Sequence, residues 1–333
     1  MKKHVIEFSA AVVFLMVAST TVVATPYCYG WTQEYTGSEP GTVALWNFNA
    51  TSTISGGHKS NVIGAGTNDW YAQTDDTTTT NTSHATFVAG GKWGGGLENI
   101  GQTTGGGYRY DSATVNGGTT AANLFPTGSD PNLSVECWVK FDTIGTYAEF
   151  LVDHRSTGTA STATGYQLSL SAARELKFSL GTGLADATIA TNFIEATSAA
   201  LLWTAGQWYH IAGTWDAATD TAKVYRDATV VATTIAAGKT IVNSTKPLAI
   251  GQRLTSNYGA LDGVIDEVRI SSVAYIYIIS SLLTTYDDSG TVYLPGDISG
   301  PAGVRDCKVN FYDLRAMLLS WLDCTDPADP TCN

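Results

Sequence analysis

Two short segments near the end of the chain carry oxygen-bearing side chains at alternating positions. Residues 296–300 read GDISG, and residues 306–313 read DCKVNFYD ahead of an apolar helical pattern. A hard cation such as Ca²⁺ prefers ligand oxygens arranged in this way, with a carboxylate at the start of a helix. The spacing therefore predicts a calcium site in this tail, and the alternative is a polar turn stapled by a disulfide before a helix.

The isolated carboxylate Asp266 is a second candidate for chemistry. Alternation places it on the face of its strand that also carries Val264, Val268 and Ile270. A carboxylate that faces a core needs backbone N–H groups, an arginine or a bound cation as its partner. Two interpretations stay open, a hydrogen-bonded structural carboxylate and a structural Ca²⁺ site. Glu267 and Arg269 should point the other way as a solvated pair.

Two pairs of carboxylates could serve glycoside hydrolysis, which needs two such groups ~5 to 9.5 Å apart. Glu149 and Asp153 have i,i+4 spacing, as do Asp262 and Asp266, and the first pair falls in a strand where both side chains could project together. The alternative is that they are ordinary strand and loop carboxylates. The chain has no Gly-x-Ser-x-Gly and no His-Glu-x-x-His. We therefore assign no catalytic residue, and binding is a better prediction than catalysis.

Exposed aromatic side chains are the usual stacking platforms for sugars, and several stand in loops or Gly-rich stretches. The alternative is that most of them cover the edges of the fold. The candidate ligand-binding residues are Trp70, Tyr71, Trp93, Tyr108, Tyr110, Tyr147 and Tyr258.

The first 24 residues have the layout of a signal peptide. Lys2 and Lys3 supply positive charge, residues 10–18 are apolar, and Val22-x-Ala24 has the small-residue spacing of a cleavage site. The apolar run is shorter than the ~20 residues that a membrane-spanning helix needs. We expect a secreted or cell-surface protein with no transmembrane anchor after cleavage, and the alternative is an uncleaved N-terminal anchor.

The bulk composition narrows the class of protein. The chain has 333 residues, 44% hydrophobic and 14% charged, with a net charge of −12. That balance can form a large core, and acidic chains repel nucleic-acid phosphates. The negative charge therefore argues against nucleic acids and anionic membranes as partners of this chain.

The five cysteines are Cys28, Cys137, Cys307, Cys324 and Cys332. Export permits disulfides, and an odd number leaves at least one thiol free or paired with another chain. We expect a pair among the last three, with Cys307–Cys324 preferred. Cys137 lies in a strand pattern and should be a small buried apolar residue.

Strand patterns dominate the chain from residue 133 onward. Alternation is clear over 134–141, over a hairpin at 166–170 and 176–180, and over 207–215, and further short strands follow to residue 270. Strands every 8 to 15 residues without helical periods between them predict an antiparallel β-sandwich. Residues 50–86 predict a long loop or irregular hairpins.

Four segments, in order along the chain, resemble the LamG-like, concanavalin A-like jelly rolls. They are GKWGGGL at 91–97, LSVECWVK at 133–140, GQWYHIAGTWD at 206–216 and GVIDEVRI at 263–270. The resemblance implies an all-β fold, an antiparallel jelly-roll sandwich. Asp227-Ala228 stands where the family usually has Asp-Gly, and alanine tolerates a positive φ poorly, so we expect a turn of another type there.

The tail resembles the dockerin type I repeat. Carried over, the calcium ligands are Asp297, Ser299, Asp306, Asn310 and Asp313, with the backbone carbonyl of Lys308. Five residues, 301–305, interrupt the loop, and Cys307 replaces the usual glycine. The resemblance implies a small helical tail that binds Ca²⁺ and attaches the protein to a cohesin-like or cell-surface partner.

These observations predict a signal peptide (1–24), a flexible lead-in (25–40), a LamG-like jelly roll (41–286), a linker (287–294) and a dockerin-like tail (295–333). The predicted function is binding of a polysaccharide or glycoprotein, as in an adhesion protein. The alternatives are a secreted glycoside hydrolase of concanavalin A-like fold and a structural cell-surface or matrix protein.

Overall fold

The computed structural model of the protein describes residues 28–29, 34–35, 39, 41–49, 70–72, 86–101, 113–115, 124–155, 163–183, 192–244, 248–253, 259–277, 285–286, 292–293 and 314. Strands dominate this part of the chain. They are β1 (Cys28–Tyr29), β2 (Thr42–Trp46), β3 (Trp70–Ala72), β4 (Thr86–Val88), β5 (Gly96–Ile100), β6 (Ala113–Val115), β7 (Leu133–Phe141), β8 (Glu149–Asp153), β9 (Tyr166–Leu170), β10 (Glu175–Gly181), β11 (Phe193–Ala200), β12 (Trp208–Asp216), β13 (Thr221–Arg226), β14 (Thr229–Ile235), β15 (Ala249–Ile250), β16 (Asp262–Ser271), β17 (Ile276–Tyr277), β18 (Thr285–Tyr286) and β19 (Val292–Tyr293).

Two antiparallel sheets form the sandwich. The seven-stranded sheet has the order β11-β10-β9-β8-β15-β6-β3, and the eight-stranded sheet has the order β14-β13-β12-β7-β16-β5-β4, with β2 also paired to β16. The predicted all-β, concanavalin A-like sandwich is confirmed. In the described part of the chain, no helix is long and apolar enough to cross a bilayer.

The core between the sheets follows the alternation read from the sequence. In β7, Val135, Cys137, Val139 and Phe141 all belong to one buried apolar cluster, which confirms the predicted burial of Cys137. Cys137 is fully buried, and burial raises the pKa of its thiol well above the usual value. It is therefore a packing residue, because a thiol that stays protonated and enclosed is a poor nucleophile.

A bulge in β8 separates two carboxylates that the sequence placed on one side. Glu149 lies opposite the core residue Leu170, whereas Asp153 lies opposite Gln167, and the register shifts between Phe150 and Val152. Residues directly opposite each other share a face of the sheet. Glu149 and Asp153 therefore project to opposite faces, and the expectation that they project together is wrong.

A second bulge, in β16, changes the orientation of the residues around Asp266. The register with β7 shifts between Asp266 and Arg269, and Glu267 takes a positive φ of 51°. Ile265, Val268 and Ile270 join the core, so Asp266 does not share their face. The extra residue of a bulge resets alternation, and the predicted assignment of Asp266 to the Val268 and Ile270 face is wrong.

The β13–β14 turn has positive φ values at both central residues, although the alanine at the second position predicted otherwise. Asp227 and Ala228 have φ values of 50° and 62°, both in the left-handed region. Two consecutive positive φ values are the mark of the tight hairpin turns that suit twisted strands. The expectation of another turn type is wrong, because alanine accepts the strained position.

Packing on the sandwich begins before residue 41, the predicted start of the domain. Tyr35 is only 1% exposed, and β1 pairs in parallel with β17. At the other end of the described chain, β18 pairs with β19 across the predicted linker.

Candidate functional site

The outer side of β8 to β11 carries polar residues in two rows that cross the seven-stranded sheet. We call this surface the polar face. The first row contains Asp153, Gln167, Ser179 and Glu195, and the second contains Phe150, Ser169, Lys177 and Thr197. Each outward residue alternates with a core residue such as Leu168 or Phe178. Simple strand alternation thus brings an acid, an amide, hydroxyls and an amine together.

The polar face is enclosed at one side and accessible at the other. Asp153, Gln167 and Ser179 are buried, whereas Glu195 and Thr197 at the β11 edge are exposed. The Ser179 hydroxyl donates to Glu195 Oε1 at 2.9 Å. Gln167 is 3% exposed, and its Nε2 finds no acceptor among the described residues. An enclosed donor without a partner costs about 1–3 kcal/mol, so it requires an explanation.

Two arginines flank these rows, and neither has a carboxylate oxygen within 4.0 Å among the described residues. The Arg155 guanidinium lies 4.9 Å from the centre of the Phe193 ring, and that of Arg253 lies 5.6 Å from the Phe150 ring. In the described part of the chain, the Nε atoms of both arginines are enclosed without an acceptor. Burial lowers the pKa of Arg155. The charge of Asp153 opposes this shift, and the charge of Arg253 adds to it.

The outer side of the eight-stranded sheet is organised differently, and we call it the covered face. Its central charges are Glu136 on β7 and Arg269 on β16, both 0% exposed. Arg269 Nε donates to Glu136 Oε1 at 2.7 Å, and the Tyr35 hydroxyl donates to Glu136 Oε2 at 2.8 Å. His210 Nε2 lies 2.9 Å from the same Oε2. The predicted solvated pair of Glu267 and Arg269 is therefore wrong, because both are buried and Arg269 pairs with Glu136.

Aromatic rings seal the covered face. Tyr35, Tyr225, Tyr275 and Tyr277 form a second buried cluster above the sheet, and the Arg269 guanidinium lies 4.5 Å from the Tyr35 ring centre. Burial alone would raise the pKa of Glu136. The adjacent Arg269 and the hydrogen bonds from His210 and Tyr35 outweigh burial and hold that pKa at about 2. The cluster is an ionised, hydrogen-bonded network with a structural role.

Asp266 fills a gap in the sheet. The edge of β16 pairs with β5 through residue 265 and with β2 from residue 268, so Asp266 and Glu267 lie between those two partners. Asp266 Oδ2 accepts from the backbone N–H groups of Lys92 at 2.8 Å and Trp93 at 3.2 Å. Glycine is required at Gly91, where a Cβ would lie 1.8 Å from the Gly95 carbonyl oxygen.

The structure therefore shows Asp266 as a hydrogen-bonded carboxylate, the first of its two interpretations. Its Oδ1 also accepts from the Glu267 N–H at 2.7 Å. Burial raises the pKa of Asp266 to about 7 against these hydrogen bonds, and burial with the charge of Asp266 raises the pKa of Glu267 to about 9. Among the described residues, no group of three or more His, Cys, Asp or Glu side chains is placed to hold a metal.

The predicted aromatic platforms that the structure describes lie at separate places. Trp70 and Tyr71 lie on strand β3, not in a loop, at the edge of the seven-stranded sheet. Trp93 is half-buried and packs edge-on against Trp138 at 5.4 Å, on the covered face. Tyr147 is 44% exposed between β7 and β8. Tyr108, Tyr110 and Tyr258 lie outside the described residues.

Glu149 is occupied by an ion pair. Its Oε1 lies 2.8 Å from Arg174 Nη1, and burial raises its pKa to about 7 despite that partner. The hydrolase hypothesis in which Glu149 and Asp153 converge is therefore not supported by their placement. The predicted calcium ligands of the tail, the Cys307–Cys324 pair and the signal peptide lie outside the described residues.

Sequence reasoning did not single out Gln167, Arg155 or Arg253. Gln167 had a signal, because it lies between Tyr166 and Leu168 in a clear alternation that points it outward. The two arginines had none, since each follows the end of a strand and reaches the polar face only through the fold.

Three solved structures illustrate the similarity to known folds. Domain 4 of AbnA, a GH43 extracellular arabinanase from Geobacillus stearothermophilus solved with arabinotriose, aligns over 71% of this chain and 94% of its own, with 15% identity and a TM-score of 0.46. The binding domain of Paraclostridial Mosquitocidal Protein 1 aligns over 71% of this chain at 11% identity and a TM-score of 0.45, and the alignment spans only 50% of that domain's chain. The CBM40 of a Ruminococcus gnavus IT-sialidase, solved with sialyllactose, aligns over 54% of this chain and 90% of its own, with 12% identity and a TM-score of 0.39.

No curated protein matches the chain. The family model Laminin_G_3, described as the concanavalin A-like lectin/glucanases superfamily, matches residues 106–275. This match covers just over half of the sequence and includes β7 to β16. The chain therefore belongs to the concanavalin A-like lectin/glucanases superfamily.

Proposed function

We propose that the protein binds carbohydrate and that the polar face is its binding surface. The observation that carries the proposal is the enclosed Gln167 Nε2, which lacks an acceptor among the described residues. Its neighbours Ser179 and Glu195 offer a hydroxyl and a carboxylate on the same row. Amide, hydroxyl and carboxylate groups in fixed positions are what reading of sugar hydroxyls requires. Membership of the superfamily supports the same ligand class, although fold alone does not assign function.

A glycan array with the full chain, followed by calorimetry on the best ligand, tests this function. Gln167→Leu and Glu195→Gln should each weaken binding at least tenfold, because a site that hydrogen-bonds a hydroxyl loses that energy without its partner. The matched control is Thr233→Ala, since Thr233 is exposed on β14 of the other sheet. Circular dichroism should show the same fold in all variants. The proposal is contradicted if no glycan on the array is bound, or if the Gln167 and Glu195 variants bind as tightly as the wild type.

Export and attachment form the second element of the proposed function. The basic, apolar and small-residue order of residues 1–24 supports export, and the oxygen spacing of 297–313 supports a calcium-dependent attachment module for a cohesin-like or cell-surface partner. N-terminal sequencing of protein recovered from the culture medium should begin at Thr25. An intact N-terminus on the recovered protein contradicts cleavage at this position.

Calcium binding by the tail is tested on the full chain. Titration should show one Ca²⁺ per chain in the wild type and none in Asp306→Ala, while Asp220→Ala in the sandwich keeps the ion. At 100 times its dissociation constant, Ca²⁺ should stabilise the native tail by about 2.7 kcal/mol, and chelation should remove that gain. Absence of binding heat in the wild type contradicts the calcium site.

A further inference from the structure

Among the described arginines, Arg155 and Arg253 are the two without a carboxylate oxygen within 4.0 Å. Arg174, Arg226 and Arg269 each lie within 4.0 Å of a carboxylate oxygen. Neither Arg155 nor Arg253 has such a partner in the described part of the chain. The chain as a whole is acidic, with a net charge of −12. These two guanidinium groups therefore add positive charge to a face that also carries the carboxylates Asp153 and Glu195.

The two guanidinium groups act on one another. The positive charge of Arg253 is among the causes that lower the pKa of Arg155, so the two charges are close enough to repel. The charges of Asp153 and Glu195 act on Arg155 in the opposite direction, without coming within 4.0 Å of it as an ion pair. Arginine suits anion binding because its planar fork presents donors to a carboxylate or sulfate in a fixed geometry.

Aromatic rings hold both side chains while leaving these donors unused. Arg155 lies over Phe193 and Arg253 lies over Phe150, at 4.9 and 5.6 Å from the ring centres. Contact with a ring face stabilises a cation without consuming its N–H groups. The enclosed Nε atoms of both arginines lack acceptors among the described residues. This is what donors that serve a ligand would show.

We infer that the polar face binds an acidic polysaccharide, with Arg155 and Arg253 receiving its carboxylate or sulfate groups and the row from Gln167 to Glu195 reading its hydroxyls. The inference rests on the proposed function and names its ligand class. Lys177, on the second row, adds a third cation beside the same surface. An acidic peptide offers the charge without the ring hydroxyls, and a second copy of this chain is repelled by its own negative charge.

Paired ligands that differ only in charge provide the test. Calorimetry on the full chain compares oligogalacturonate with its methyl ester, alginate oligomers with their methyl esters, and sulfated dextran with dextran. At least one acidic ligand should bind tenfold or more tightly than its neutral form, and the pair that does so identifies carboxylate or sulfate as the recognised group. Poly-glutamate should bind at least tenfold more weakly than that ligand.

Matched variants connect this preference to the two arginines. Arg155→Gln and Arg253→Gln should each lose fivefold or more in affinity for the acidic ligand, and Arg155→Lys should lose less than Arg155→Gln. Lys223→Gln removes the same charge from β13 of the other sheet and should change affinity less than twofold. Thermal unfolding of each variant checks that the fold is intact.

The outcomes separate this inference from the function on which it rests. Equal binding of acidic and neutral glycans, with loss only in Gln167→Leu, overturns the acidic ligand and leaves carbohydrate binding standing. Unchanged affinity in both arginine variants overturns the inference in the same way, as does poly-glutamate that binds as tightly as the glycan. Failure of every glycan, acidic or neutral, overturns both.

Discussion

Arg269 on the covered face is fully enclosed against Glu136, whereas Arg155 and Arg253 on the polar face are half-buried with no carboxylate within 4.0 Å among the described residues. The two faces belong to one sandwich and are built from strands with the same alternation. On the covered face Arg269 and Glu136 pair with each other beneath a cluster of tyrosine rings. On the polar face enclosed donors lack acceptors.

The difference separates charges that hold the fold from charges that are available for a ligand. A buried ion becomes very costly when its partner is removed, because an uncompensated charge is left behind. An arginine without an ion pair leaves a weaker electrostatic deficit when it is replaced, because its nearest acids lie beyond 4.0 Å. Mutations on the covered face should therefore reduce stability, and mutations on the polar face should reduce binding.

The largest expected effect follows from removing one half of the enclosed pair. Arg269→Leu leaves Glu136 buried and charged, and we expect a loss of about 3–5 kcal/mol in the free energy of unfolding. The matched variant Arg155→Leu should change stability by less than about 1 kcal/mol. Urea unfolding followed by tryptophan fluorescence measures both. Equal losses in the two variants would remove the distinction between the faces.

The pH dependence of stability should come from buried carboxyl groups, chiefly Glu136 and Glu267 on the covered face, while Asp266 and Glu149, with pKa values raised to about 7, act in the same direction as Glu267. The pKa of Glu136 is depressed to about 2, so its contribution is complete above its unfolded pKa and is lost as pH falls from about 4.3 towards 2. The pKa of Glu267 is raised to about 9, so its contribution is complete below about 4.3 and is lost as pH rises towards 9. We expect a stability maximum near pH 4–5.

Replacement of Glu267 isolates the alkaline side of this profile. Glu267→Gln should raise the free energy of unfolding at pH 8 by about 1–2 kcal/mol relative to the wild type and change it little at pH 4.5. Unfolding curves collected from pH 3 to pH 9 provide the measurement. If Glu267→Gln changes the free energy of unfolding equally at acidic and alkaline pH, the alkaline loss of stability comes from other groups.

A smaller effect is expected from the tyrosine that covers the ion pair. Tyr35→Phe removes the hydroxyl that donates to Glu136 Oε2 and lies 3.2 Å from His210 Nε2, while keeping the ring over Arg269. The expected loss is about 1–2 kcal/mol, typical of a hydrogen bond to a charged group. Ser179→Ala on the polar face is the control and should cost less. A larger loss from Ser179→Ala than from Tyr35→Phe would reverse the comparison.

The smallest effect is expected at the edge of the covered face. Ala228 has a positive φ of 62° and packs against the tyrosine cluster. Ala228→Gly relieves the strained backbone and removes a methyl contact, so we expect a gain of at most about 1 kcal/mol. Thermal unfolding measures the change. A clear loss would show that the methyl contact outweighs the strain.

The sequence was sufficient to predict the sheet and most inward-facing residues, because alternation reports burial directly. The outward face of β7 shows where that reasoning ends. Glu136 and Trp138 were correctly placed outside the core, yet both are buried under residues far away in the chain. Alternation distinguishes two faces of a strand and carries no information about what covers the outer one.

Bulges caused the errors at the candidate sites. One extra residue in β8 separates Glu149 from Asp153, and another in β16 turns Asp266 away from the core. Neither bulge contains a glycine that would signal it, since Glu267 itself takes the positive φ. The arginines of the polar face were missed because they follow the ends of strands, where periodicity gives no direction.

The parallel pairing of β1 with β17 determines how the protein can be held. Cys28–Tyr29 and Ile276–Tyr277 run side by side. Tyr277 belongs to the tyrosine cluster on the far side of the sandwich from Gln167. A partner that contacts the β1–β17 pair would therefore leave Arg155 and Arg253 accessible while it holds the protein.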